Sequence, residues 1–341
     1  MSKTMKRWEM HSFGRGRLAL TQAAIPTPQA GEVLVKVNAV ALNYRDTLVI
    51  EDGMGLSLAF PFTPGSDLAG TVHALGPGAT RFAVGERVIS TFFPGWIDGA
   101  PQGDARVPLY RSLGGSHPGV LAEYVAFPQD WFVHAPATLD DAQASTLPCA
   151  GLTAWFALVE NGRLRAGQTV LIEGTGGVAL FGLQIAKAHG AQAIVISGNA
   201  DKLERARRLG ADHGIDRSAQ DWTEAVLRLT DDRGVDQILE LVGGAHLGKA
   251  VQAAAVGGQI HQIGVLKGFE VTAPVGPLML KQLTIHGIGV GHRRALEDLV
   301  VAVDRLGLEP VIDARYSFAE LPDALDHLER GAFGKVVIDV A

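Results

Sequence analysis

Residues 32–42, EVLVKVNAVAL, alternate apolar and polar positions, and GTVHALG (70–76) and GERVIS (85–90) repeat the pattern between glycines and prolines. A period of two is that of a half-buried strand, so the first third of the chain is predicted to be β-rich. Short strands separated by turn signals suggest a compact, partly open barrel. The stretch 93–119, FPGWIDGAPQGDARVPLYRSLGGSHPG, breaks the pattern and reads as a long loop. Loops of that length inside compact domains are uncommon and often functional.

From about residue 133 the periodicity changes. LDDAQASTLPCAGLTAWFALVE (139–160) offers an aspartate cap followed by helical spacing. TVLIEG (169–174) is an apolar strand, followed by a glycine turn and a helix, LFGLQIAKAHG (180–190), closed by glycine. AIVISG (193–198), DQILELVG (236–243), GQIHQIGV (258–265) and LTIHGIGVG (283–291) continue the series of buried strands, with KLERARRLGAD (202–212) as a further helix. Apolar strands alternating with helices make βαβ units and a parallel sheet. The closing FAELPDALDHLERGAFGKVVIDV (318–340) reads as a helix and a strand that returns to the first domain. The expected fold class is α/β: a β-rich domain over 1–130, rejoined by 305–341, and a doubly wound domain over 131–304.

Composition narrows the function. At 341 residues, 47% hydrophobic and 19% charged, the chain has the profile of a two-domain globular protein. Its net charge of −6 and the lack of a basic run argue against nucleic acid or an anionic membrane as partner. The basic stretch 202–208 is broken by Glu204 and reads as a solvated helix face. No apolar run approaches the roughly 18 residues of a membrane span. HSFGRGRLAL, after the positive N-terminus, is no signal-peptide core. A single cysteine, Cys149, excludes an internal disulfide framework and agrees with a reducing, cytoplasmic location.

The strongest local motif is VLIEGTGGVALFGLQIA, in which Gly174, Gly176 and Ala179 form G-x-G-x-x-A between a strand and a helix. The first glycine permits the tight turn and the second lets backbone approach a pyrophosphate. The small third residue lets the helix pack on the strand. The N–H groups of Gly177 and Val178 would then face the phosphates at the helix N-terminus. An NAD site places an acid about 20 residues on, for the ribose 2′-hydroxyl. Here Ser197 fills that place, with Asn199 and Lys202 nearby. Donors in place of an acid welcome a 2′-phosphate, so NADP(H) is preferred, with NAD(H) still possible. Lys202 reads equally well as a solvated helix residue.

With these segments in place, the chain resembles the medium-chain dehydrogenase/reductase superfamily, closest to its zinc-free, quinone-oxidoreductase-like and alcohol-dehydrogenase-like members. GEVLVKVNAVALNYRD, PFTPGSDLAGTV, VGERV, LPCAGLTAW, AGQTVLIEGTGGVALFGLQIAK, KLERARRLGAD and GAFGKVVI run in the family order and cover nearly the whole chain. The resemblance implies a GroES-like catalytic domain, a Rossmann domain and a substrate cleft between them. It implies cofactor contacts at Thr153, beside the nicotinamide, at Val242, Gly243, Ile263, Gly264 and Val265, at Gly289, Val290 and Gly291, and at Lys335 near the phosphates. The strand-end glycines among these also suit plain turns. A homodimer pairing through LTIHGIGV is implied as well.

Zinc-dependent relatives hold their catalytic metal at three positions that match Asn43, Ser66 and Cys149 here, and their structural zinc needs four cysteines where 93–119 has none. A catalytic zinc requires three protein ligands plus an open position, so no zinc is expected. Of the histidines, His286 and His292 read as satisfied or solvent-facing side chains. Without a metal, hydride transfer suits acceptors that stabilise their own negative charge, such as quinones or α,β-unsaturated carbonyls. Those acceptors still need hydrogen-bond donors and a proton source. Asn43 and Ser66 are candidate donors and Tyr44 a candidate proton donor tuned by Arg45 and Asp46. In the plainer alternative Tyr44 packs and Arg45 pairs with Asp46. Asp67 reads as a residue of the domain junction, and Cys149 as a partly buried thiol near the nicotinamide pocket. The expected function is an NADPH-dependent, zinc-independent oxidoreductase of small molecules. The alternatives are a metal-free alcohol dehydrogenase or carbonyl reductase, and an NADPH-binding protein of low turnover.

Overall fold

The computed structural model describes residues 4–101, 103–108 and 110–340. The chain divides into two compact units, Met1–Leu152 with Gly291–Ala341, and Thr153–Val290.

In the first unit β1 (Thr4–Met10) and β2 (Leu18–Ala24) form an antiparallel pair. A second sheet is built from β3 (Glu32–Leu42), β4 (Asp67–Leu75), β5 (Arg87–Ser90), β6 (Tyr124–Pro128) and β7 (Phe132–His134). Helix α1 (Tyr44–Asp52) follows β3 directly. The alternation read in β3 predicts one wet face, yet ten of its eleven positions are not exposed, Lys36 being the exception, and eight are fully buried. The cause is its central place: β3 pairs with β4 and β6, and a register shift near Val37–Ala39 rotates its far end into a second apolar cluster. Val33, Val35 and Val37 enter the main core, while Ala39 and Ala41 pack with Ala142 and Val337.

The helix expected over 139–160 is present but irregular. It consists of α2 (Asp141–Ala144), a π-helical turn at Leu147–Gly151, α3 (Leu152–Trp155) and a second π-helical turn at Phe156–Asn161. Cys149 sits in the first π turn, a feature that recurs at functional sites.

The second unit carries β8 (Thr169–Glu173), α4 (Gly177–Ala188), β9 (Gln192–Ser197), α5 (Ala200–Arg208), β10 (His213–Asp216), α6 (Trp222–Leu229), β11 (Val235–Glu240), α7 (His246–Ala253), β12 (Ala254–Gln262), α8 (Val275–Leu280) and β13 (Thr284–Gly287). All six strands run parallel in the order β10-β9-β8-β11-β12-β13. The sheet winds outward in both directions from β8 and β11. Its topological switch point therefore lies beyond their carboxyl ends, where open α/β sheets bind ligands. Leu171, Ile194, Ile238 and Ile260 form its apolar centre.

The chain then returns to the first unit through α9 (Arg293–Leu306), β14 (Ile312–Ser317), α10 (Leu321–Glu329) and β15 (Lys335–Asp339). β15 adds to β3 in antiparallel register and carries β14 on its other edge. The division of the chain differs from the expected boundaries after 130 and 304: residues 131–152 and 291–304 cluster with the first unit. Hydrogen bonds supply the reason. Asp141 of α2 accepts from Asn38 of β3 at 2.8 Å and from Arg87 of β5 at 2.7 Å. Arg293 of α9 donates to Asp130 at 2.7 Å, and Asp304 accepts the backbone N–H of Ala137 and Thr138.

Candidate active site

In the second unit the turn after β8 is built as the glycine spacing requires. Gly174 adopts φ 96°, which only glycine takes without strain, and its N–H bonds Ile196 O at 2.8 Å. A Cβ added at Gly174 or Gly176 would meet no atom within 4 Å, so the backbone here borders open space into which a ligand can come close. Gly176 caps α4 without a side-chain acceptor, which leaves the first N–H groups of Gly177 and Val178 available to an anion. Ala179 is buried against the sheet.

At the end of β9, Ser197 Oγ accepts the N–H of Asn199 at 3.2 Å, and Asn199 Oδ1 caps α5 by accepting the N–H of Lys202 at 2.9 Å. Sequence reasoning missed the group that lies beside them. Arg217 follows β10, its N–H bonds Ser197 O at 3.0 Å, and its guanidinium lies 3.4 Å from where a Cβ of Gly198 would stand. Nineteen positions separate it from Gly198, and only the pairing of β9 with β10 brings it there.

The remaining expected contacts of this unit gather beyond the carboxyl ends of β11 to β13. Gly243 has φ 80°, and a Cβ on Gly264 would fall 1.8 Å from Leu241 C, so the loops after β11 and β12 touch through bare backbone. The N–H groups of Ile263 and Gly264 bond Glu240 O, and Val242 O accepts from Lys267. Val265 follows in the same turn, Gly289 borders open space, and Val290 is held at φ 67°. Thr153 is buried at the start of the unit, while Gly291 opens the returning segment of the other. Three ligand-type side chains also converge in this unit among the described residues: Glu173, Glu240 and His246, with one ligand atom of each within 4.8 Å of the others.

The first unit holds a buried polar cluster. Lys335, at the start of β15 and only 3% exposed, donates to Asn43 Oδ1 at 2.5 Å and Leu42 O at 2.6 Å. Asn43 Nδ2 reaches Ser66 Oγ at 3.4 Å, and Ser66 Oγ donates to Asp67 Oδ1 at 2.6 Å. Asp67 Oδ2 accepts the backbone N–H of Cys149 at 3.0 Å. Burial raises the Asp67 carboxyl to about 6 against the opposing pull of the Lys335 ammonium. Burial and the nearby Asp67 also push the Cys149 thiol well up, so it stays protonated at neutral pH. Lys335, expected near cofactor phosphates, is thus engaged with Asn43, and Asn43, Ser66 and Cys149 are brought together around Asp67.

Tyr44 begins α1 and is 41% exposed. Arg45, expected to tune it, is committed elsewhere. Its guanidinium donates to Ser112 Oγ, Leu113 O and Gly114 O at 3.0–3.1 Å and to Asp46 at 3.3 Å, and lies over the rings of Phe92 and Tyr110. It anchors the 110–115 loop, and the pairing with Asp46 is the plainer of the two readings offered by the sequence. His286 is bonded by Gln259, and His292 is a buried cap whose Nδ1 accepts the N–H of Ala295.

Residues 29–137 match the alcohol dehydrogenase GroES-like domain family, and residues 177–306 match the zinc-binding dehydrogenase family. A zinc-type alcohol dehydrogenase-like protein of Schizosaccharomyces pombe is 34% identical over 319 residues, 91% of each chain. The chain belongs to the medium-chain dehydrogenase/reductase superfamily. As a member of that superfamily it is an NAD(P)H-dependent oxidoreductase, with a GroES-like β-rich domain and a Rossmann domain. A crystal structure of a proposed alcohol dehydrogenase from Sinorhizobium meliloti superposes with a TM-score of 0.98 at 61% identity, covering 100% of both chains. The quinone oxidoreductase of Rattus norvegicus, in the same superfamily, is 25% identical over 98% of each chain. No helix among the described residues is long and apolar enough to cross a membrane.

Proposed function

We propose that this medium-chain oxidoreductase takes NADPH, works without zinc, and reduces an activated acceptor, a quinone or an α,β-unsaturated carbonyl. The observation that carries the reading is the buried Lys335 ammonium bonded to Asn43 Oδ1, at a position where zinc-dependent relatives present a metal ligand. A fixed cation there opposes a second one, and the three matching positions offer an amide, a hydroxyl and one thiol, a single zinc-type ligand where three are needed. That set does not fit a catalytic zinc, which takes thiolate, imidazole or carboxylate.

Bound reduced nicotinamide would supply the hydride. The protein's own part is to hold the acceptor oxygen as it gains charge. With Oδ1 committed to Lys335, the Asn43 amide is oriented with its nitrogen as donor, and the ammonium behind it strengthens that donor. Tyr44, exposed at the start of α1, is the proposed proton source, and Ser66 and Asp67 orient Asn43 from the other side. For the cofactor, Gly174, Gly176, Gly177 and Val178 would take the pyrophosphate. Val242, Gly243, Ile263, Gly264, Val265, Gly289 and Val290 would line the crevice. Ser197, Asn199, Lys202 and Arg217 would receive the 2′-phosphate. A guanidinium beside a strand end that carries no acid supports NADPH over NADH. The protein would act in the cytoplasm as a homodimer.

The test is to follow the nicotinamide absorbance of purified protein and NADPH against quinones, enones, ketones and aldehydes, with and without a chelator. Turnover of quinones or enones that survives chelation is expected. Activity lost to the chelator would refute zinc independence. Turnover of simple ketones and aldehydes alone would replace this reading by a metal-free alcohol dehydrogenase or carbonyl reductase.

A further inference from the structure

Glu173 and Glu240 end two neighbouring parallel strands, β8 and β11, whose register runs through Ile172 and Leu239 just before them. They therefore stand side by side at the switch point, and Glu173 directly precedes the Gly174 turn. Both are buried, at 3% and 0% exposure. Their surroundings are unequal. Glu240 accepts the N–H of Val242 at 2.8 Å and that of Gly243 at 2.8 and 3.0 Å. Among the described residues, neither oxygen of Glu173 has a hydrogen-bond donor. His246 Nδ1, at the start of α7, approaches Glu173 Oε2 at 3.3 Å without hydrogen-bond alignment.

We propose that Glu173 and Glu240 share one proton, carried by Glu173, and that binding the dinucleotide phosphates requires it. The proposal rests on the reading of this crevice as the dinucleotide site. Two carboxyls this close and this buried cannot both be anions without a large cost, and the one without donors is the one to stay neutral. As an acid, Glu173 can donate its O–H to Glu240, which satisfies a buried oxygen that is otherwise orphaned. Burial is the main cause that lifts Glu173 to about 7, with Glu240 adding to it and His246 opposing. The titratable groups facing Glu173 are thus Glu240 from β11 and His246 from α7. His246 lies in turn against Trp222, over which Lys249 also sits.

An anionic pyrophosphate next to this pair adds further negative charge, so bound dinucleotide raises the proton affinity of Glu173. By linkage, binding takes up a proton from solvent and weakens as pH rises through the free-protein value. A divalent cation held by Glu173, Glu240 and His246 would also neutralise the crevice. The proton is favoured because the backbone N–H groups occupy both lone pairs of Glu240 Oε1 and one of Oε2, which leaves a single site for one O–H donor.

The experiment measures NADPH affinity of the intact chain by nicotinamide fluorescence from pH 6.5 to 9, with calorimetry in buffers of different ionisation enthalpy to count protons. For the wild type, Kd should rise by roughly tenfold from pH 7 to 8.5, with net proton uptake. Glu173→Gln keeps the shape and a donor to Glu240 without the titration. It should bind at every pH as tightly as the wild type does at low pH, and take up no proton beyond that owed to the cofactor. A wild-type Kd that stays flat, or a pH dependence unchanged in Glu173→Gln, overturns the proposal. So does affinity lost to a chelator and restored by Zn²⁺ or Mn²⁺. Absence of NADPH and NADH binding at any pH overturns the dinucleotide reading itself, and the coupling with it.

Discussion

Arg217 and Lys335 each owe their proposed role to one contact. Arg217 places a guanidinium against Gly198, at the strand end where a nucleotide's ribose would lie. A charge-assisted pair with a 2′-phosphate contributes about 1.5–3 kcal/mol. Arg217→Ala is therefore expected to weaken NADPH binding by roughly 10- to 100-fold while leaving NADH nearly unchanged, read by parallel fluorescence titrations. An equal loss for both cofactors would remove Arg217 from the 2′-phosphate site. Lys335 balances two buried carboxyls, Asp46 and Asp67, both of which feel its charge. Removing one partner from a buried charged cluster costs about 3–5 kcal/mol. Lys335→Met should lower the melting temperature accordingly. The loss should be greater at pH 8 than at pH 5, because the two acids, held protonated in the folded state without their cation, must ionise as pH rises. An unchanged melting temperature would mean that the ammonium does not carry this charge.

At the scale of elements, the turn after β8 and the loop after β12 both depend on glycine, for opposite reasons. Gly264 has Leu241 backbone where its Cβ would be, at 1.8 Å, so Gly264→Ala must push two loops apart. It is expected to destabilise the protein by more than about 3 kcal/mol, measured by chemical denaturation. Gly176 borders open space and has ordinary extended φ, −80°, so alanine is accommodated by the fold. Gly176→Ala should keep the wild-type melting temperature and lose at least about tenfold in NADPH affinity, because its methyl group occupies the phosphate's approach. If both substitutions change stability alike, the Gly176 position is a structural turn and not a cradle. The pattern of apolar positions foretold these elements because strand and helix periods are local properties of the chain. It did not foretell the two π-helical turns around Cys149, which depend on how the segment Leu147–Asn161 is packed.

For the molecule as a whole, the proposed homodimer concerns a face of the second unit. β13 is the last strand of its sheet, with Ile285 38% exposed, and α8 presents Leu280 at 83% and Met279 at 67% exposure. An open strand edge beside apolar side chains is a site for pairing with another copy. Leu280→Asp combined with Met279→Asp should convert the dimer to a folded monomer, read by light scattering after size exclusion with circular dichroism as the control. A dimer that survives the double substitution would place the interface elsewhere.

Composition and periodicity by themselves determined the class of this protein: a parallel sheet of apolar strands, a glycine turn between a strand and a helix, a β-rich first domain and a chain that returns to it. Those features are written in residues near one another, where spacing alone carries the physics. Tertiary structure decided everything that joins distant residues. Strand order set Glu173 beside Glu240 and brought Arg217 to Ser197, and the pairing of β15 with β3 set Lys335 on Asn43. Side-chain packing turned Arg45 toward the 110–115 loop and drew residues 131–152 and 291–304 into the first unit. Each is a contact between residues far apart in the chain, and its energy exists only once the sheets have formed.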